Sequence, residues 1–387
     1  MARKDLPPAG SGPAWAGASM ERRPELDALR GIAALMVLIE HAQQLVPPVP
    51  TPALPGAGFL RWLLFEHTPL RILDLGRPAV LFFFVLSGYV LTRALLVSGS
   101  PGLFAFAVQR SIRLMLPAGA SVLLSVGLYL VFFDPDALPE LRNRTLHTWH
   151  EPPTVVQLIS STLLLDVALN IPLWSLVQEW RLTVLLPLVL LLRGRLLHLL
   201  VLACALMLAG QVLGARENQI QLADGLRGSA ASTLYFALAI GTGAALALAR
   251  PQRALGRGER ALLLALAALL FSMKSDLATY AGSVILIVVA QEPGAFQLLL
   301  RRPVAVWLGR ISFSLYLIHV PILVAAVYAL HGTAPPLAAA VIGAALALPA
   351  AALMRVAVEE PSRRLARRAE RRLSRGAASR VAAARGH

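Results

Sequence analysis

Pro24–Val46 reads PELDALRGIAALMVLIEHAQQLV, an apolar helical run with a cation near one end and a Glu-His pair near the other. Arg30 and His41 stand eleven positions apart. At about 100° per residue that is about 1100°, three turns plus about 20°, so both side chains share a face, with Cα atoms roughly 16 Å apart along the axis. Asp27, Arg30, Glu40 and His41 are costly in or beside an apolar run of membrane length, which marks the segment as a functional site by default. The plainer alternative is a helix end decorated with interfacial charges.

The rest of the chain extends the membrane reading. Of 387 residues, 57% are hydrophobic and only 15% charged, with a mean hydropathy of +0.66. Apolar runs of spanning length recur from end to end, so the expected fold class is all-α, a polytopic membrane protein. The single Cys204 excludes an internal disulfide framework and a cysteine-rich metal site. No metal-ligand spacing and no solenoid repeat is present. The net charge of +15 is concentrated in the tail, where residues 361–387 hold nine Arg and one Glu directly after the last apolar run. Such a tail points to anionic lipid on the cytoplasmic face rather than to nucleic acid. Residues 1–23 lack the apolar core of a signal peptide and read as a disordered cytoplasmic leader. The expected organisation is therefore a leader over 1–23, a membrane domain over 24–360 and a basic cytoplasmic tail over 361–387.

Eleven apolar segments are candidates, near 26–46, 78–98, 114–133, 154–170, 174–193, 196–214, 230–249, 259–273, 277–291, 305–330 and 335–358. The segment 154–170 is the weak one, because Ser160, Ser161, Thr162 and Asp166 interrupt it. Leaving it out gives about ten transmembrane helices with both termini cytoplasmic. That arrangement puts eight Lys and Arg outside (Arg61, Arg71, Arg77, Arg142, Arg144, Arg216, Arg227 and Lys274) and more than twenty inside. The bias decides the orientation. The long outer loops, near 47–77 and 134–173, include His147, Trp149 and His150.

Several polar groups carry candidate chemistry. His41 suits a general base or a nucleophile, and Arg30 a fork for phosphate or carboxylate. Arg110 and Arg113, three apart, share a helix face; they read either as ordinary positive-inside charge or as a phosphate clamp. Ser87-Gly88 reads as close helix packing. In LWSLVQEWRLTVLLPL, Trp174, Ser175 and Glu179 outline a polar pocket with a ring for sugar stacking, or else an interfacial aromatic belt with an ion pair. Glu179 and Arg181 point apart. Ser312, Tyr316 and His319 form a polar seam on one face of SFSLYLIHVPIL, structural or catalytic.

In order, the elements LDALRGIAALMVLIEH, FFFVLSGYVLTR, RSIR followed by LMLP, LWSLVQEW, ISFSLYLIHVP and VEEPSRRL resemble the integral-membrane acyltransferase family 3, which includes O-acetyltransferases of bacterial surface polysaccharides. The resemblance implies ten spans, a multi-pass protein of the cell inner membrane, and an acyl-CoA donor, typically acetyl-CoA. The acceptor it implies is a hydroxyl on a carbohydrate or lipid-linked molecule. It matches Arg30 and His41 to the family's signature pair, Arg110 and Arg113 to its basic pair, and Glu179 to its acidic position. Catalysis is then expected of His41, Glu179 and Arg30, with Glu179 and also Glu40 orienting the imidazole. Donor phosphates fall to Arg30, Arg110 and Arg113, and the acceptor to Trp174, Ser175, Glu40, Tyr316 and His319. Two features depart from the family's commoner pattern: Glu40 beside the histidine, and EWRLTVLLP in place of Glu-x-x-Phe-Tyr. A secondary transporter is the alternative from another class; it predicts paired broken helices in two related halves, and no such pairing is visible.

Overall fold

The computed structural model describes residues 23–46, 75–98, 102–138, 149, 151–217, 225–249 and 254–385. The leader up to residue 22, most of the first long loop and, in the second, residues 139–148 and 150, with His147 and His150, lie outside these residues. The described chain is helical throughout: α1 (Pro24–Gln44), α2 (Gly76–Ser98), α3 (Leu103–Phe132), α4 (Val155–Thr162), α5 (Leu173–Val184), α6 (Leu196–Val212), α7 (Gly225–Leu248), α8 (Arg257–Ser272), α9 (Asp276–Ala290), α10 (Ala295–Leu300), α11 (Pro303–Ala329), α12 (Pro336–Met354) and α13 (Glu360–Arg385). Proline opens α1, α11 and α12, where its missing N–H costs nothing.

Five helices are long and apolar enough to cross a membrane, and a sixth span appears if α5 and the following 3₁₀ segment Leu186–Leu192, bent by 44°, count as one. Pro187, at the start of that segment, cannot donate back into α5, which accounts for the bend. Helix α1 misses the criterion because Asp27, Arg30 and Glu40 fall in every stretch of membrane length within it. Helices α6, α8 and α9 are 17, 16 and 15 residues long, roughly 23–26 Å against a hydrocarbon core of about 30 Å. The weak segment does not span: α4 is eight residues, closed at its start by the Thr154/Gln157 capping box. Beyond it the Asp166 carboxylate accepts from the backbone N–H of Val167 (2.6 Å) and Ala168 (3.2 Å), turning the chain.

Helices α1 and α11 run parallel and in register. A Cβ on Gly31 would lie 2.4 Å from the backbone nitrogen of Gly309, and one on Gly309 would lie 2.1 Å from the Asp27 carbonyl oxygen. Ten residues further along both helices, His41 meets His319, at the same separation of 278 positions. Helices α2 and α7 are also parallel, with Phe84 against Phe236 and Gly88 against the Ile240 carbonyl. The apolar interior has two parts, one built mainly from α1, α2, α7 and α9, the other from α1, α3, α11 and α12. Helix α1 contributes to both, so it forms the seam between them.

The two ends of the bundle are polar and distinct. The last turn of α1 meets the start of α2, where the Glu40 carboxylate accepts from the backbone N–H of Gly76. At this end the Arg77 guanidinium donates to both oxygens of Asp276 (3.0 and 2.5 Å), and the Tyr235 hydroxyl donates to the same carboxylate (2.9 Å). At the other end Gln291 accepts from Arg23 and from the Tyr89 hydroxyl (2.9 Å), Arg93 donates to Tyr89 (3.0 Å), and Arg301 pairs with Glu25 (3.3 Å). Residues that the charge distribution assigns to one face thus come together. Because the side chains of Asp276 and Arg77 are only 4% and 20% exposed, Asp276→Ala strands a cation and is expected to lower stability by about 3 kcal/mol. Thermal unfolding in detergent micelles, with Arg77→Ala/Asp276→Ala less destabilised than Asp276→Ala, checks it.

A π-helical turn, Arg355–Glu359, joins α12 to α13, so the basic tail is a helix that continues the last apolar one and packs on α3.

Candidate active site

His319 is buried on α11. Its Nδ1 is 3.0 Å from the Leu315 carbonyl oxygen, which can only accept, so Nδ1 carries a hydrogen. In the neutral ring Nε2 is then an acceptor. It lies 2.8 Å from His41 Nδ1, which must donate to it. The consequence falls on His41: its Nε2 keeps a bare lone pair. The rings are within 7° of parallel with centroids 5.0 Å apart, the separation that an in-plane nitrogen-to-nitrogen bond produces. A backbone carbonyl, one imidazole and a second imidazole thus fix a tautomer of the kind that catalytic and metal-binding histidines use. Tyr316, one turn earlier on α11, shares a 2.7 Å hydrogen bond with Ser175, and its ring is 5.8 Å from that of His319.

The opposite end of α1 carries the cations. Arg110 Nη2 donates to Glu179 Oε1 (2.9 Å) and to the Thr183 hydroxyl (3.1 Å), and Ser87 donates to the same Glu179 oxygen (3.0 Å). Arg30 lies close enough to act electrostatically on both Arg110 and Arg113, and Arg363 of α13 on Arg113. Among the described residues neither Arg30 nor Arg113 has a carboxylate partner, and both are half-buried. One carboxylate against three guanidinium groups leaves a surplus of positive charge, which suits a polyanion. Arg30 and His41 lie roughly 16 Å apart along α1, so the same helix has a surplus of positive charge at one end and a basic nitrogen at the other.

The remaining expectations divide. Ser175 and Tyr316 are brought together beside the histidines. Glu179 bonds to Arg110 and Ser87, and among the described residues it makes no hydrogen bond to His41; the orienting partner of that imidazole is His319. Glu40 makes no imidazole contact among these residues either. Besides Gly76 it accepts from the Gln44 amide (3.1 Å), and its carboxylate at the start of α2 satisfies a free N–H there and complements the helix dipole. Trp174 offers no stacking face: it is 7% exposed, set against Phe84 and Phe236 at ring distances of 6.3 and 5.7 Å. Ser312 turns back onto its own helix, donating to the Gly309 carbonyl (2.9 Å). Ser87 and Thr183 were not singled out for this role. The one cue to Ser87 was its place beside Gly88, which lets α2 come close to its neighbours. No cluster of metal-binding side chains occurs among the described residues.

Apolar helices of spanning length joined into one bundle define a multi-pass membrane protein, with a surplus of positive charge and a basic nitrogen along one shared helix. The chain belongs to acyltransferase family 3: the model of that family's acyltransferase domain matches residues 23–356. It is a membrane acyltransferase. No match was found among curated proteins or among solved structures.

Proposed function

We propose that the protein transfers an acyl group, typically acetyl, from cytoplasmic acyl-CoA to a hydroxyl of a carbohydrate or lipid-linked acceptor at the far side of the cell inner membrane. The observation that carries this reading is the alignment along α1 of an arginine cluster, three guanidinium groups to one carboxylate, with a histidine whose Nε2 is bare. The ten-span orientation, both termini inside, puts the arginine end in the cytoplasm and the histidine end outside. It is supported by the charge bias and by the pairing of Arg77 with Asp276 at one end and Arg23 with Gln291 at the other.

In this mechanism Arg30, Arg110 and Arg113 hold the phosphates of the donor, and the thioester reaches His41. Nε2 of His41 takes the proton of the acceptor hydroxyl as its oxygen attacks the thioester carbonyl. The carbon–sulfur bond breaks, CoA leaves as thiolate, and the proton on His41 passes to it. Positive charge that develops on His41 is shared with His319 through the 2.8 Å bond. Attack by the same lone pair on the thioester, giving a transient acyl-histidine, draws on the same geometry. Glu179 holds Arg110 in place, and Ser175 with Tyr316 supplies hydroxyls beside the reacting group. The basic α13 lies against anionic lipid.

The test is transfer of labelled acetyl-CoA by purified protein in nanodiscs; substrate flux without acyl consumption would overturn the reading. Arg113→Ala is expected to weaken acyl-CoA binding roughly tenfold or more, since a charge-assisted hydrogen bond contributes about 1.5–3 kcal/mol. Unchanged affinity in a direct titration would remove the arginine cluster from donor binding.

A further inference from the structure

One cation of α5 is absorbed by none of the above. Arg181 reaches to the first turns of α7, where its Nη1 donates to the Ser229 hydroxyl (2.6 Å), the Thr233 hydroxyl (3.2 Å) and the Ser229 carbonyl (3.3 Å). All three partners are neutral. Among the described residues no carboxylate lies within ion-pair distance of Arg181, and its Nε and Nη2 have no hydrogen-bond partner.

Beside it stands a second unsatisfied donor. The Thr233 hydroxyl donates to Gln178 Oε1 (2.6 Å), so the Gln178 amide belongs to the same cluster. Gln178 is 0% exposed, and its Nε2 is buried with no partner. A buried amide nitrogen left bare costs about 1–3 kcal/mol unless something accepts from it. A half-buried guanidinium at a helix interface with only neutral neighbours is under-compensated in the same sense.

The cluster has a definite place in the fold. The start of α7 lies with the start of α2, since those helices are parallel, and the start of α2 is capped by Glu40, next to His41. These donors therefore stand with the start of α7, on a different face of α5 from Glu179 and Thr183, which hold Arg110. None of these groups is anionic, and Arg181, Gln178 and Ser229 keep hydrogens with no acceptor among the described residues, while the Thr233 hydrogen is held by Gln178.

We infer that Arg181, Gln178, Ser229 and Thr233 form a second anion site, which holds a phosphate group of the acceptor while its hydroxyl is acylated. The guanidinium fork supplies two parallel donors for phosphate oxygens, and the Gln178 amide and Ser229 hydroxyl supply further ones. The role in acceptor binding rests on the acyltransferase reading; the binding of phosphate does not. Phosphate carried on a lipid and free phosphate present the same chemistry, so the experiment separates them.

Protein in nanodiscs of phosphatidylcholine alone is titrated with inorganic phosphate and with dihexanoyl phosphatidic acid, read by microscale thermophoresis. Arg181→Gln is expected to weaken binding of the phosphatidic acid roughly tenfold or more. Arg181→Lys, whose melting temperature checks the fold, should retain most of the affinity, Ser229→Ala should lose part of it, and Arg113→Gln should leave the Arg181-dependent component in place. Dependence on Arg181 for both probes assigns the site to the phosphate group alone, and dependence for phosphatidic acid only assigns it to a lipid-borne phosphate. Arg181→Gln protein that bound both probes like wild type would overturn the site, as would wild-type protein that bound neither. Phosphate binding without acyl transfer would instead leave the site standing and remove the acyltransferase mechanism.

Discussion

His41→Ala protein is expected to bind acetyl-CoA with wild-type affinity and to transfer its acyl group about 10³-fold more slowly. General bases placed on a reacting proton typically contribute 10²–10⁴ in rate, and no other described nitrogen near Tyr316 and Ser175 has a bare lone pair. His319 acts through His41, so its removal should cost less. His319→Ala leaves His41 free to rotate and to adopt the other tautomer, and about a 10²-fold loss is expected. His319→Gln, which can keep an acceptor facing His41 Nδ1, should recover part of that loss and restore the pH profile toward wild type. Single-turnover transfer of labelled acetyl groups, run beside a CoA-binding titration, separates the two roles. Turnover by His41→Ala at the wild-type rate would remove the histidine pair from the chemistry.

The second large effect is expected from Gly309, which has no catalytic group. A Cβ at this position would lie 2.1 Å from the carbonyl oxygen of Asp27 and 2.3 Å from its carbon, and a backbone carbonyl cannot rotate away within a helix. Gly309→Ala must therefore push α1 and α11 apart, at a cost of about 1–3 kcal/mol, and Gly309→Leu should fail to give folded protein. The separation also reaches the site, because the histidines meet ten residues further along the same two helices. Transfer by Gly309→Ala should fall more than its stability predicts, with acyl-CoA affinity changing little. Gly127→Ala is the control: it lies on α3 with nothing within 4 Å of the added carbon. Equal melting temperatures for Gly309→Ala and Gly127→Ala would contradict the close approach.

The parts of this site visible in the sequence are those that helical periodicity governs. Eleven residues bring Arg30 and His41 to one face, and three bring Arg110 and Arg113 together, whatever surrounds them. The polar seam of Tyr316 and His319 is legible for the same reason. What faces each seam is not, because contacts between helices depend on which small residues let two backbones approach. The meeting of His41 with His319 follows from Gly31 and Gly309, and neither glycine announces the other. Glu40 serves a capping role that its neighbours in sequence do not reveal, since the N–H it accepts from begins a helix 36 positions away. Trp174 went the other way. Its place beside Ser and Glu suggested a polar pocket, but Phe84 and Phe236 enclose the ring. The run at 154–170 is apolar enough to be a candidate span, but its helix ends at Thr162 and the Asp166 carboxylate turns the chain.

The parallel pairing of α1 with α11 also has a meaning in time. His41 leaves the ribosome 278 residues before His319 does, an interval of about 15–55 s at 5–20 residues per second. Throughout that interval Arg30 and His41 are both already in place on α1, while the imidazole has no partner to set its tautomer. Chemical competence thus waits for the late helices to insert. A chain interrupted in synthesis retains Arg30 and His41, and still lacks the partner that fixes which nitrogen of His41 is bare.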